Sequence, residues 1–219
     1  MTVWGEAGRA WAYVQANPDL FSGALAQHLA LSGAALAVGI ALAVPLGVVL
    51  SRLPAGPGQG VLRLVNALRT VPNLAVLALA LPFLGVGFAP SLAALTILAV
   101  PPVLTNTYAG IRGVDRDAVE AARGMGMTPA GMLRRVELPL VVPILFAGIR
   151  TAAVQVVAGA TLAAFIGGGG LGDFITAGIA MSDGRLLLVG AVPVALLALA
   201  TEAAFGRLER RLTSSGLRA

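Results

Sequence analysis

Apolar residues fill this chain in long uninterrupted runs, and polar residues are confined to the stretches between them. No Asp, Glu, Lys or Arg occurs from Leu20 to Ser51, and none from Thr70 to Ile111. A bilayer span needs about 20 mostly apolar residues, so the second run is long enough for two spans and a turn. The pattern predicts an all-α integral membrane protein with five spans: about Gly23 to Leu50 with a kink at Pro45, Leu62 to Leu84, Pro90 to Tyr108 after the turn LGVGFAP, Leu138 to Ile166, and Leu186 to Phe205. Residues 1–22 are too polar to span. Trp4, Trp11 and Val14 recur near helical spacing there, which predicts a short helix lying in the membrane interface. Residues 23–206 read as one domain and residues 207–219 as a polar tail. Small residues four apart, Ala35 with Gly39 and Ala43 with Gly47, permit close helix contact in lipid.

Composition agrees with this pattern. The chain is 58% hydrophobic and 11% charged, where a soluble domain carries about 25% charged residues. It has no cysteine, which excludes disulfides. All fifteen basic residues are arginine, and their placement sets an orientation. With the N-terminus outside, Arg52, Arg63, Arg112, Arg116, Arg123, Arg134, Arg135, Arg207, Arg210, Arg211 and Arg218 lie inside, and only Arg9 and Arg185 lie outside. Cytoplasmic loops carry the excess of arginine, so the N-terminus is expected outside and the C-terminus inside. The net charge of +5 is therefore read as loop charge and not as a nucleic-acid surface. Arg69 and Arg150 fall within predicted spans.

The most informative polar stretch joins the third and fourth spans, within residues 112–137: GIRGVDRDAVEAARGMGMTPAGMLRRVELPL. Asp117 is placed to cap a helix, with Glu120 three residues on as a capping-box partner. Gly124 and Gly126 stop that helix. Thr128 caps a second one that begins at Pro129. Met132, Leu133 and Val136 share one side of it, Arg134 and Arg135 another, and Pro139 is expected to end it at the membrane. Two short helices on a tight glycine turn fit a solvated loop or a docking element for a cytoplasmic partner. A DNA-reading helix-turn-helix is disfavoured, because the unit is tethered to the bilayer at both ends and lacks base-reading side chains.

The pattern Glu120-Ala121-Ala122, Gly126, Leu138-Pro139 resembles the EAA motif of binding-protein-dependent ABC importer permeases. The stretches RTVPNLAVLALALP (69–82), PPVLTNTYAGIRGVD (101–115), EAARGMGMT (120–128), AGIRTA (147–152) and TLAAFIGGGGLGDFI (161–175) are similar to the osmoprotectant permeases, which serve transporters of glycine betaine, carnitine and choline. The likeness runs from residue 25 to 206. Methionine or other amino-acid importer permeases are the nearest alternative; Thr105-Asn106-Thr107 and the Gly-Met-Gly-Met segment favour the osmoprotectant group. The resemblance implies a type I importer transmembrane domain of methionine-permease-like fold in a bacterial or archaeal cytoplasmic membrane. It implies that Glu120, Ala121, Ala122, Gly126, Met127, Thr128 and Pro139 form the coupling region, whose helix sits in a groove of an ATPase subunit. It further implies a second permease, two ATPases and a separate extracytoplasmic binding protein, for which this chain has no room.

The chain has no Gly-x-x-x-x-Gly-Lys-Ser/Thr loop and no lysine to reach a phosphate. It is thus expected to carry no cofactor or metal and no enzymatic activity, with ATP and Mg2+ bound by the ATPase. An intramembrane enzyme would need convergent ionisable or metal-binding groups, and a channel would need polar rings along its pore. Neither accounts for the polar insert.

Arg150 reads as the one ionisable residue deep in a span, about 18 Å past Leu138 at 1.5 Å per residue. It must pair, snorkel or face the bundle interior. Two roles remain open: a structural hydrogen bond to a neighbouring span, or a place on the pathway meeting a substrate carboxylate. Asn106, Gly168 and Gly169 complete the candidate pathway residues. Gly167 to Gly170 cannot comfortably continue a helix. They predict either a re-entrant turn followed by a short returning helix from Leu171 to Ala180, or a plain flexible loop. His28 is read as a packed or interfacial residue near the outer end of the first span. Aromatic residues show no cluster that would make a cage for a quaternary amine.

Overall fold

A computed structural model describes residues 3–212. Met1, Thr2 and residues 213–219 lie outside the described residues, as do the Trp4 side chain of the expected interfacial stripe and Arg218 of the arginine count. No strand occurs among the described residues.

Helix α1 (Val3–Ala16) is separated by Asn17 alone from α2 (Pro18–Arg52), so the first long helix starts earlier than Gly23. Proline at its first position needs no hydrogen-bonded N–H there. The expected second span, Leu62 to Leu84, is a broken one. Helix α3 (Ala55–Ala67) passes through a 3-10 turn (Leu68–Thr70) into α4 (Asn73–Leu84), and the two arms meet at 97°. The cause is local. Pro72 lacks an N–H and disfavours helical backbone at the residue before it, and Val71 is extended at φ −75, ψ 127.

Helix α5 (Phe88–Arg112) leads into α6 (Arg116–Gly124) and the four-residue α7 (Pro129–Met132). Pro139 does not end this second helix. A π-helical stretch (Leu133–Glu137) carries the rod straight into α8 (Leu138–Gly159), and its altered hydrogen-bond spacing accommodates Pro139 just beyond it. A 3-10 segment (Ala160–Ile166) follows, then α9 (Gly172–Met181) and α10 (Gly184–Leu212). Helix α10 continues through Leu212, so residues 207–212 are helical. Helices α2, α5, the rod 129–166 and α10 are each long and apolar enough to cross a membrane, and the bent α3–α4 pair makes a fifth span if counted as one.

The core is the contact of α2 with α5 and of α5 with α8. Gly39 of α2 lies against Ala99 of α5 and Gly47 against Thr107, so these helices run parallel. A Cβ at Gly39 would come 2.6 Å from the Ala99 Cβ, and one at Gly47 2.7 Å from the Thr107 Cβ. Helix α8 runs opposite to α5, with Gly148 on Asn106 and Gly159 on Leu98. On the other flank, α1, α9 and α10 form a second cluster around Leu171, Phe174, Leu186 and Val189.

Candidate functional site

The polar insert forms an arm at one end of the bundle. Its first helix is capped by Asp115 and not by Asp117: the Asp115 side chain accepts the Asp117 N–H at 2.9 Å. The expected capping box was set two residues late. Residue Asp117 instead sits in the first turn, where its charge suits the positive helix end. The helix stops at Gly124, and Gly126 takes the left-handed conformation (φ 77) that a side chain would strain. Thr128 caps α7 through its hydroxyl, which accepts the Gly131 N–H at 3.2 Å.

The arm has two faces. Glu120, Ala121, Arg123 and Met125 are exposed, while Ala122 is buried and Met127 is half-buried. The smallness of Ala122 therefore serves packing inside the arm, and only Ala121 of the pair leaves room for an approaching surface. Arg116, Glu120 and Arg123 make no hydrogen bond or ion pair among the described residues and line an open basin of about 420 Å³. At its root, Glu137 is buried and both of its oxygens accept from the guanidinium of Arg52, the last residue of α2. Sequence reasoning missed this pair. Its only sequence signal is a lone carboxylate directly ahead of the Leu-Pro that opens α8.

Arg150 is not the sole deep ionisable group. Its guanidinium lies 3.5 Å from Glu202 and 3.2 Å from Glu209, both on α10. Glu202 stood in plain view within the expected fifth span. Asn106 donates to the carbonyl of Pro102, one turn back on its own helix, at 2.8 Å and packs under Gly148.

Gly168 and Gly169 belong to a tight junction at the opposite end of the bundle from the arm. The Gly168 carbonyl accepts from Gln27 at 3.0 Å, and the Gly87 N–H donates to Ile166 at 2.7 Å. Gly169 has φ 73, and a Cβ there would land inside the Gln27 amide. His28 beside it is buried, with Nε2 donating to the Val157 carbonyl at 3.0 Å. The run is thus a packed turn feeding the short helix α9, and not a loose loop.

A second polar feature lies midway along the bundle, where the α3–α4 break meets the end of α8. Arg69, Asn73, Gln155 and Thr161 border a cavity of about 470 Å³ whose remaining walls are aliphatic. Leu98, about ten residues into the 25-residue α5, sets its depth near the middle of that helix. The Arg69 guanidinium has no hydrogen bond or ion pair among the described residues. Arg69 was legible only as a charge inside an apolar run; the break that turns it toward a cavity was not.

Residues 25–214 match the family described as "Binding-protein-dependent transport system inner membrane component". The chain is 50% identical over 192 residues to the carnitine transport permease protein OpuCB of Listeria monocytogenes, covering 88% of each. It is 46% identical over 191 residues to the choline transport system permease protein OpuBB of Bacillus subtilis (strain 168), covering 87% of this chain and 88% of that protein. Its backbone is similar to a chain of the MetNI methionine ABC transporter in an inward-facing conformation, with a TM-score of 0.81, 23% identity, and coverage of 89% of this chain and 97% of that one. That last likeness is one of fold.

Proposed function

The chain belongs to the family of binding-protein-dependent transport system inner membrane components, and we propose that it is a permease subunit of an ABC importer moving osmoprotectants of the glycine betaine, carnitine or choline type. The observation that carries this reading is its high identity, over nearly the whole chain, to permeases for choline and carnitine. Methionine is the weaker reading, since likeness to that transporter is of fold only.

In this reading the N-terminus faces outside and the arm faces the cytoplasm, because the arm and the end of α10 carry most of the arginines. A separate ATPase binds ATP and Mg2+, a binding protein delivers substrate from outside, and a second permease completes the pathway. The exposed surface of Glu120, Ala121, Gly126 and Thr128 docks in a groove of the ATPase, with Met127 and buried Ala122 holding the turn in shape. Closure of the ATPases displaces the arm, and Pro139 lies where that displacement enters α8. The bundle then alternates between outward and inward openings, a two-state change biased by ligand.

Arg69, and not Arg150, is the basic group proposed to meet a substrate carboxylate. Arg150 has two carboxylates for partners, while Arg69 is unpaired beside the mid-depth cavity. Broken helices at such depth occur where backbone lines a cavity, because freed backbone groups need polar surroundings. Asn106, Gly168 and Gly169 act here through packing. No aromatic side chain borders the cavity. The quaternary ammonium is therefore held loosely, and selection falls mainly to the binding protein.

Growth tests this reading. The chain is expressed with its ATPase and binding-protein subunits in a host without osmoprotectant uptake, at high external salt. Glycine betaine, carnitine or choline should restore growth. Restoration of a methionine auxotroph without any osmoprotection would overturn the substrate assignment.

A further inference from the structure

Three helices meet at the root of the arm. Glu137 closes the π-helical stretch and is 2% exposed. Its Oε1 accepts from Arg52 Nη1 at 2.9 Å, and its Oε2 accepts from Arg52 Nη2. A guanidinium gripping both oxygens fixes angle as well as distance, which a single hydrogen bond does not. Arg52 is the last residue of α2. The next carbonyl, Leu53, accepts from Arg112, the last residue of α5, whose guanidinium lies 5.5 Å above the Tyr108 ring. The first helix of the arm packs on the π-helical stretch itself. Arm, α8, α2 and α5 are thus joined within a few residues. A π-helical turn interrupts the regular hydrogen-bond spacing of the helix, and here it ends where the carboxylate grips α2.

We propose that Arg52 and Glu137 are a positioning pair that transmits movement of the arm to α2, and through Leu53 and Arg112 to α5, so that ATP hydrolysis on the partner is converted into opening of the bundle. This rests on the importer reading above. Without the pair, the arm can swing about the π-helical turn while α2 stays behind. Loss of the pair therefore uncouples hydrolysis from transport and leaves the docking surface intact, because Glu137 is buried at the root of the arm while Glu120 and Ala121 are exposed.

The test uses the assembled complex in proteoliposomes with its binding protein, and reads three quantities: retention of the ATPase, the rate of ATP hydrolysis, and solute taken up per ATP hydrolysed. Glu137→Gln should keep the ATPase and hydrolyse ATP at or above the wild-type rate, with uptake per ATP reduced about tenfold. Arg52→Lys keeps the charge but cannot grip both oxygens, and should fall between. The exchanged pair Arg52→Glu with Glu137→Arg should recover part of the loss, which two residues acting independently of each other would not produce. An uptake-to-hydrolysis ratio within twofold of wild type in Glu137→Gln overturns the proposal. If Glu137→Gln does not assemble, Arg52→Lys decides: a reduced ratio supports transmission and a wild-type ratio refutes it. The ratio is measured with whichever labelled solute the wild-type complex accumulates. A wrong substrate assignment therefore shows in the wild type, and a wrong transmission role shows only in the variants.

Discussion

Replacing Arg69 by glutamine separates two ways a positive charge can serve a transporter. Arg69 lies at the break between α3 and α4, unpaired, beside a cavity of about 470 Å³ that also meets Asn73, Gln155 and Thr161. Glycine betaine and carnitine present a carboxylate; choline presents a hydroxyl. A hydrogen bond to a charged group contributes about 1.5–3 kcal/mol. Arg69 is exposed, so solvent screening puts the contribution at the lower end, about 1.5 kcal/mol. At about 1.4 kcal/mol per tenfold, Arg69→Gln should lower the uptake efficiency for glycine betaine about tenfold. Choline has no carboxylate to pair with the guanidinium, and its uptake should change by less than twofold. The assay is initial uptake of each labelled solute by the reconstituted complex, with saturating binding protein so that capture outside does not limit the rate. Equal losses for both solutes would mean that Arg69 supports the fold or the gating. No loss for either would remove it from the pathway. Either result refutes the reasoning.

Arg150→Gln should behave differently: by loosening α8 from α10, it should lower uptake of glycine betaine and choline together and lower the thermal transition of the detergent-solubilised chain. Gly39→Leu forces side-chain volume into a contact where even a Cβ would lie 2.6 Å from Ala99; overpacking of this kind costs about 1–3 kcal/mol, to be read as a lower melting temperature. Gly169→Ala combines a strained left-handed backbone with a clash on Gln27, and should destabilise the junction and reduce yield, as size-exclusion chromatography of the solubilised protein will register. Glu120→Arg with Ala121→Leu alters only exposed groups, and should leave the chain in the membrane but prevent the ATPase from co-purifying with it.

The apolar runs were readable as helices because bilayer thickness imposes a length and a composition that few other structures share. The arm was readable for a different reason. Gly126 and Thr128-Pro129 are local backbone signals, and each acts in the structure as its chemistry dictates. What was not readable depended on three-dimensional neighbours or on one signal overriding another. Pro72 lies inside an apolar run and drew no attention there, yet it sets a 97° bend whose open side is a cavity that the run does not announce. Pro139 looked like a stop, yet the π-helical stretch ahead of it supplies the altered spacing that lets the rod continue. Arg150 looked isolated because its partners lie some 50 residues away on α10, and no local pattern announces them. Ala122 and Glu137 show the same limit: which side of a short helix is buried is decided by the segment it packs on.

The central claim is that this chain conducts osmoprotectants when an ATPase drives it. The most direct measurement is ATP-dependent accumulation of labelled glycine betaine in proteoliposomes holding the purified permease, ATPase and binding protein, with unlabelled choline, carnitine and methionine as competitors. The account predicts accumulation that requires ATP and binding protein and is reduced by choline or carnitine but not by methionine. Accumulation of methionine in place of glycine betaine, or solute flux that proceeds without ATP, would contradict it.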